Sequence, residues 1–270
     1  MAEKNSAWWA QPWLLVEAFC LVNLGFLTLD IYLAHSFNEF RKWPEYVPLY
    51  FSAAAPFLLL AGLALRSRWR AVWTDVGYLV GWAAIVIGLT GVVLHLNSSF
   101  FYERTIKSLT YSAPFAAPLA YAGLGFLLVM NRMVLSESRE WAEWVVFFTL
   151  GGFVGNFVLT LGDHAENGFF YPTEWVGVVA SAFAVGFLAA SLLLRVSRGF
   201  ILLCAAILFA EAGVGVWGFL LHATANLHGP STQMLKNFTF GAAPFAPLLF
   251  PNLALLGMIA LWRLQRLAAE

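Results

Sequence analysis

The sequence predicts an all-α integral membrane protein: eight transmembrane helices, paired as four helical hairpins and grouped as two parallel four-helix halves. Three observations carry this reading. They are a composition poor in charge, a series of apolar runs, and a phrase that occurs twice.

Of the 270 residues, 61% are hydrophobic and only 11% charged, with 12 Trp and 25 Phe. A soluble domain needs about 25% charged residues to cover its surface. Most of this surface must therefore meet something other than water, and the lipid bilayer is the expected partner. Apolar runs long enough for a hydrocarbon core of about 30 Å fall at 13–34, 47–65, 71–95, 111–131, 142–163, 174–194, 200–222 and 242–262. The first run has neither a basic leader nor a small-residue cleavage site, so it is expected to stay as a helix. No basic block exists to hold phosphates, so nucleic acid is not an expected partner. Cys20 and Cys204 both fall inside runs, far apart and without a metal or redox spacing, and read as apolar filler.

Orientation follows from the cations. The N-terminus, the even-numbered connections and the C-terminus hold Lys4, Arg66, Arg68, Arg70, Arg132, Arg139, Arg195, Arg198, Arg263 and Arg266. The longer odd-numbered connections hold Arg41, Lys42, Arg104, Lys107 and Lys236. The positive-inside rule then puts both termini in the cytoplasm. The odd connections, which carry every histidine, face outward. For a Gram-negative bacterium that side is the periplasm, and the membrane is the inner (plasma) membrane.

The repeated phrase is "LTLDIYLAHSFNEFRKWPEYV" (27–47) against "LTLGDHAENGFFYPTEWV" (159–176). His35 and His164 are each followed by Asn at +3, Phe at +5, Glu at +10, an aromatic at +11 and Val at +12. The two histidines are 129 residues apart (164 − 35), and the same offset relates Glu45 to Glu174, Arg66 to Arg195, Lys107 to Lys236 and Thr110 to Thr239. "KSLTYSAPFAAPL" (107–119) likewise matches "KNFTFGAAPFAPL" (236–248). The halves, 1–135 and 136–270, read as a duplication. Four spans return the chain to its starting side, so the copies are parallel and equivalent residues share one depth. An Ala-Pro-Phe is expected to open the returning helix at 55–57, 113–115 and 243–245, since proline in a first turn forfeits no hydrogen bond. Pro118, Pro247 and Pro251 lie deeper and are expected to kink their helices.

Ionisable groups inside spans are costly, so each requires a reason. Glu17 and Asp75 fall near cytoplasmic helix ends, where snorkelling suffices. Asn23 and Asp30 are two turns apart on one helix face, and Asn156 and Asp163 repeat that spacing in the fifth helix. Hydrogen bonding between helices accounts for the Asn residues as well as a site does, whereas the Asp residues lie beside the histidines. Glu211 is eleven residues before His222, roughly 16 Å deeper at 1.5 Å per residue.

His35, His95, His164 and His222 each close an odd-numbered helix, and His228 follows the last. A single helix-end histidine is ordinarily an interfacial residue. Four at equivalent positions, with His228 six residues beyond the last, form a candidate metal-ligand set, because imidazole suits a transition-metal ion, including haem iron. The same groups suit a quinone, whose carbonyls they would hydrogen-bond. Phe100, Phe101, Tyr102, Phe169, Phe170 and Tyr171 lie nearby, and serve equally as an interfacial aromatic belt. Asp30 and Asp163 are candidates to orient rings or accept protons, and Glu211 is a candidate proton-linked group. The expected function is a redox subunit with its His/Asp site on the outer face. Lacking a catalytic domain of its own, it would exchange electrons with an external partner protein or membrane complex. A small-ion or metal transporter and a structural or assembly subunit are the alternatives. No phosphate loop, nucleophile elbow or iron–sulfur pattern is present. "NSS" (97–99) and "NFT" (237–239) match the glycosylation acceptor but hug the membrane.

Overall fold

The computed structural model describes residues 10–194 and 196–267. Lys4 and Arg195, two of the cations behind the orientation, lie outside the described residues, and so does the Arg66–Arg195 correspondence. Among the described residues the chain is helical and has no strand. The helices are α1 (Pro12–Ser36), α2 (Tyr46–Leu65), α3 (Arg70–Leu96), α4 (Phe100–Glu103), α5 (Ile106–Thr110), α6 (Leu119–Met133), α7 (Arg139–Glu166), α8 (Glu174–Leu193), α9 (Arg198–Leu227), α10 (Met234–Phe240) and α11 (Leu249–Leu267). Seven helical segments are long and apolar enough to cross a membrane, the make-up of a multi-pass membrane protein.

The eighth expected span is α6, which has 15 regular residues. At 1.5 Å per residue that is about 22 Å, short of the hydrocarbon core. Hydropathy alone starts this span at 111, but residues 111–118 form turns and Pro118 stands at the N-cap of α6. The other deep prolines are also helix starts and not kinks. Pro247 lies in the 3-10 turn Ala246–Leu248, and Pro251 in the first turn of α11. Pro56 departs in the other direction. The sequence places it at a helix start, yet α2 begins at Tyr46 and carries Pro56 in its interior. A turn over Trp43–Glu45 has already begun the helix.

The helices close into two four-sided rings. α1 packs on α2, α2 on α3, α3 on α6 and α6 on α1; likewise α7 on α8, α8 on α9, α9 on α11 and α11 on α7. In each ring the first and third members, α1 and α3 or α7 and α9, therefore stand across a diagonal. Further contacts of α6 with α7 and of α1 with α11 join the rings. At that seam the Asn23 and Asn252 amides exchange hydrogen bonds, Asn23 Nδ2 donating to Asn252 Oδ1 at 3.1 Å. Asn156 Nδ2 donates to Ser181 Oγ at 3.4 Å between α7 and α8. Both Asn residues are thus helix–helix links.

Glu17 departs most from the sequence expectation. It does not snorkel to water but is 0% exposed and receives both prongs of the Arg132 guanidinium, at 2.5 and 2.7 Å. Large apolar side chains such as Phe57, Leu79, Phe183 and Phe209 are instead turned outward, as lipid requires.

Candidate functional site: paired histidines at one end of each ring

The helix order delivers the histidines in pairs across the diagonals. His35 ends α1 and His95 ends α3, and their ring centroids are 6.3 Å apart at an interplanar angle of 72°. His164 in the last turn of α7 and His222 near the end of α9 repeat this at 6.4 Å and 82°. The other two corners of each ring supply oxygen atoms.

His95 Nδ1 donates to the Pro114 carbonyl at 2.8 Å, and His222 Nδ1 to the Ala243 carbonyl at 2.7 Å. A carbonyl can only accept, so Nδ1 carries the proton in each ring. In the neutral ring Nε2 then keeps its lone pair. The other member of each pair faces a carboxylate. His35 Nδ1 is 3.8 Å from Glu45 Oε2, and His164 Nδ1 is 3.5 Å from Glu174 Oε2. The far oxygen of each carboxylate is held: Asn38 Nδ2 donates to Glu45 Oε1 at 3.1 Å, and the Tyr171 N–H to Glu174 Oε1 at 3.4 Å. The near oxygens, Glu45 Oε2 and Glu174 Oε2, are buried without a hydrogen-bond partner. Each aims a bare acceptor at an imidazole. In both pairs every Nδ1 has an oxygen facing it, and Nε2 is the nitrogen left for a ligand.

Local backbone explains how the phrases reach this arrangement. After His35 the Phe40 N–H returns to the His35 carbonyl (3.2 Å) and the Glu39 N–H to the Ser36 carbonyl (3.2 Å). After His164, Phe169 and Gly168 make the same two bonds, each at 3.0 Å. This is the Schellman ending, which takes a left-handed residue after the helix. Glu39 (φ 60) and Gly168 (φ 68) occupy that place, and Phe40 (φ 51) and Phe169 (φ 52) continue in the same region. The turn sets Phe40 against His35 and Tyr46, and Phe169 against His164 and Trp175, the last pair stacked at 4.0 Å. Reversal then brings the Glu at +10 back beside its histidine.

The Ala-Pro-Phe stretches at 113–115 and 243–245 are turns that carry the acceptor carbonyls, and not helix openings. The first half anchors its turn through the Ala113 N–H, which donates to Ser98 Oγ at 2.9 Å. The second uses Asn226 Nδ2, which donates to the Ala242 carbonyl at 2.7 Å. Asn237, in the second glycosylation-like triplet, is buried, and its amide is bonded through both ends to the Ser231 backbone.

The remaining candidates fall elsewhere. Half-buried Asp30 and exposed Asp163 make no hydrogen bond or ion pair with a histidine among the described residues. His228 is exposed beyond α9, its Nδ1 donating to the Thr224 carbonyl at 2.9 Å. Glu211 is 3% exposed, with Oε2 unpartnered. Among the described residues no group of three or more His, Cys, Asp or Glu is placed to hold a metal ion. The four histidines lie as two pairs. The carboxylates that accompany them are Glu45 and Glu174, used in the sequence only as markers of the repeat. Their recurrence at +10 was the signal that could have named them. No family model, curated protein or solved structure matches the chain.

Proposed function

We propose that the protein is a membrane-embedded redox subunit holding a cofactor between paired imidazoles, one pair in each half. The single observation that carries this reading is the pairing itself. Two rings meet across a four-helix diagonal at 6.3 Å, with an oxygen facing each Nδ1, and the arrangement recurs at 6.4 Å in the other half. Oxygen acceptors behind Nδ1 are what orients imidazole ligands in metal sites. Imidazole suits iron and copper. With only two protein ligands per site, the remaining ligands would belong to the cofactor, and haem is a group of that kind. Asp30 and Asp163 would accept protons nearby.

In this reading α6 and its leading turns complete an eighth span. The two rings are parallel repeats, both termini are cytoplasmic, and the histidine ends face the exterior of the inner membrane. Electrons would pass to or from an external protein partner. A transporter would draw on the intramembrane Asn and Asp residues and Glu211, and of these Asn23 and Asn156 are occupied in helix contacts. A purely structural role would leave the two bare oxygens of Glu45 and Glu174 without a purpose.

The test is an absorbance spectrum and elemental analysis of detergent-purified protein. The wild type is expected to carry stoichiometric metal, with one site lost in His95→Gln, the other in His222→Gln and both in the double variant. Metal-free wild type, or equal metal in the double variant, overturns the proposal.

A further inference from the structure

The outward side of α8 and α9 holds a groove that the histidine sites do not use. Trp175, Phe183, Ile207, Glu211 and Val214 line its upper part, a cleft of about 470 Å³. A second stretch of about 530 Å³ shares Phe183 and continues along Phe187 to Phe200. From Trp175 to Ala190, the last α8 residue lining it, the groove runs about 22 Å at 1.5 Å per residue. Trp175 and Phe183 are 47% and 57% exposed, so it opens sideways, where lipid would lie.

Among the described residues that line this wall, Glu211 is the one ionisable side chain. It is 3% exposed, its Oε2 has no hydrogen-bond partner, and it makes no ion pair among the described residues. A carboxylate without a cation in an apolar wall is costly. As the neutral acid it has one O–H to donate, and no other side chain lining the groove is an acceptor. A membrane molecule with a carbonyl and a long apolar body supplies one. The carboxyl belongs to one half only. His222 and His95 are 127 residues apart, and the same step takes Glu211 to Ala84, fully buried in the first ring.

We propose that this groove binds a lipid-soluble carbonyl carrier, a prenyl-tailed quinone, with the Glu211 carboxylic acid donating to a quinone carbonyl. The apolar stretch from Phe183 to Phe200 takes the tail. Trp175, held by its stack on Phe169, presents an aromatic wall to the ring. A phospholipid ester offers the same acceptor chemistry without a ring, and the experiment separates the two.

The protein is placed in phosphatidylcholine bilayers and titrated with a decyl-tailed benzoquinone, followed by infrared difference spectroscopy. The expected result is saturable binding of one quinone per chain, with a carboxylic-acid stretch that shifts on binding and is missing in Glu211→Gln. Glu211→Gln keeps an N–H donor and retains binding. Glu211→Leu weakens it about tenfold, the worth of one hydrogen bond of about 1.4 kcal/mol. Unchanged affinity in a folded Glu211→Leu overturns the assignment. So does an acid band that quinone does not move, which would give the groove to a lipid carbonyl. The inference does not rest on the histidine sites: the His95→Gln/His222→Gln variant is expected to bind quinone as the wild type does, so either proposal can fail alone.

Discussion

Glu17 and Arg132, 115 residues apart, form a two-pronged ion pair in which both side chains are 0% exposed. The guanidinium also lies 4.4 Å over the Trp73 ring and fills the space beside Gly77, where an added Cβ would meet Arg132 Nε at 1.7 Å. One offset of 129 along, the second half has Val146 and Leu261, both buried. The same position in two similar rings is thus filled once by charge and once by hydrocarbon. Losing one partner of a buried pair strands a charge and costs about 3–5 kcal/mol, whereas replacing both by packed apolar groups is often neutral. Glu17→Val and Arg132→Leu are each expected to lower the unfolding midpoint in detergent sharply, and the double variant to recover most of the loss. A double variant no better than the singles would show that the pair is not exchangeable for the second half's solution.

At the first left-handed position the two Schellman endings differ, Glu39 against Gly168, both at positive φ. Left-handed backbone costs a non-glycine residue about 1–2 kcal/mol. Glu39→Gly is therefore expected to stabilise the protein by about 1 kcal/mol, and Gly168→Ala to destabilise it by a similar amount. Nothing lies within 4 Å of a Cβ at Gly168, so the effect there is conformational and not steric. Thermal unfolding of the two variants checks the opposite signs.

How much of this was legible beforehand divides along physical lines. Seven spans were readable because lipid requires long apolar runs. The regular helix of the fourth run starts later than its hydropathy, because hydropathy does not register that Pro114 and Pro118 hold 111–118 in turns. His35 and His164 were legible through the echo of phrases, and His95 and His222 through their places at the ends of apolar runs. Their division into pairs was not readable, because it depends on which helices face each other across a ring. Glu45 and Glu174 stood in view at +10, but only the left-handed turn at 39–40 and 168–169 shows that they come back to the imidazoles. Glu17 was misread for the same reason: its partner is remote in sequence, and no local pattern announces it.

The carbonyl bonds to His95 and His222 predict the tautomer of each ring. In nitrogen-15 spectra the neutral form of each is expected to carry its proton on Nδ1. Ser98→Ala removes the anchor of the Ala113 N–H and loosens the turn that presents the Pro114 carbonyl. It should cost about 1 kcal/mol and give His95 a mixed tautomer signal, while His222, served by Asn226, keeps its own. An unchanged His95 signal would mean that the carbonyl is held by the rest of the turn.

Close approach of α3 to α6 and of α9 to α11 rests on small residues facing prolines. A Cβ at Gly88 would lie 2.6 Å from the Ala122 nitrogen and 2.8 Å from the Pro118 carbonyl oxygen. At Gly215 it would meet Pro251 Cδ at 2.4 Å and the Pro247 carbonyl oxygen at 2.5 Å. Backbone and ring atoms cannot rotate aside as a flexible side chain can, so the helices must separate. Both contacts lie less than two turns below a histidine, so separation would also draw the acceptor turn away from the imidazole. Gly88→Ala and Gly215→Ala are expected to cost about 1–3 kcal/mol each as overpacking, and to weaken any ligand held by the adjacent pair. Gly155 and Gly213 have nothing within 4 Å of a Cβ. There alanine should gain up to about 1 kcal/mol from helix propensity. Unfolding midpoints of the four variants distinguish a packed seam from a merely flexible helix, since flexibility alone would give all four the same sign.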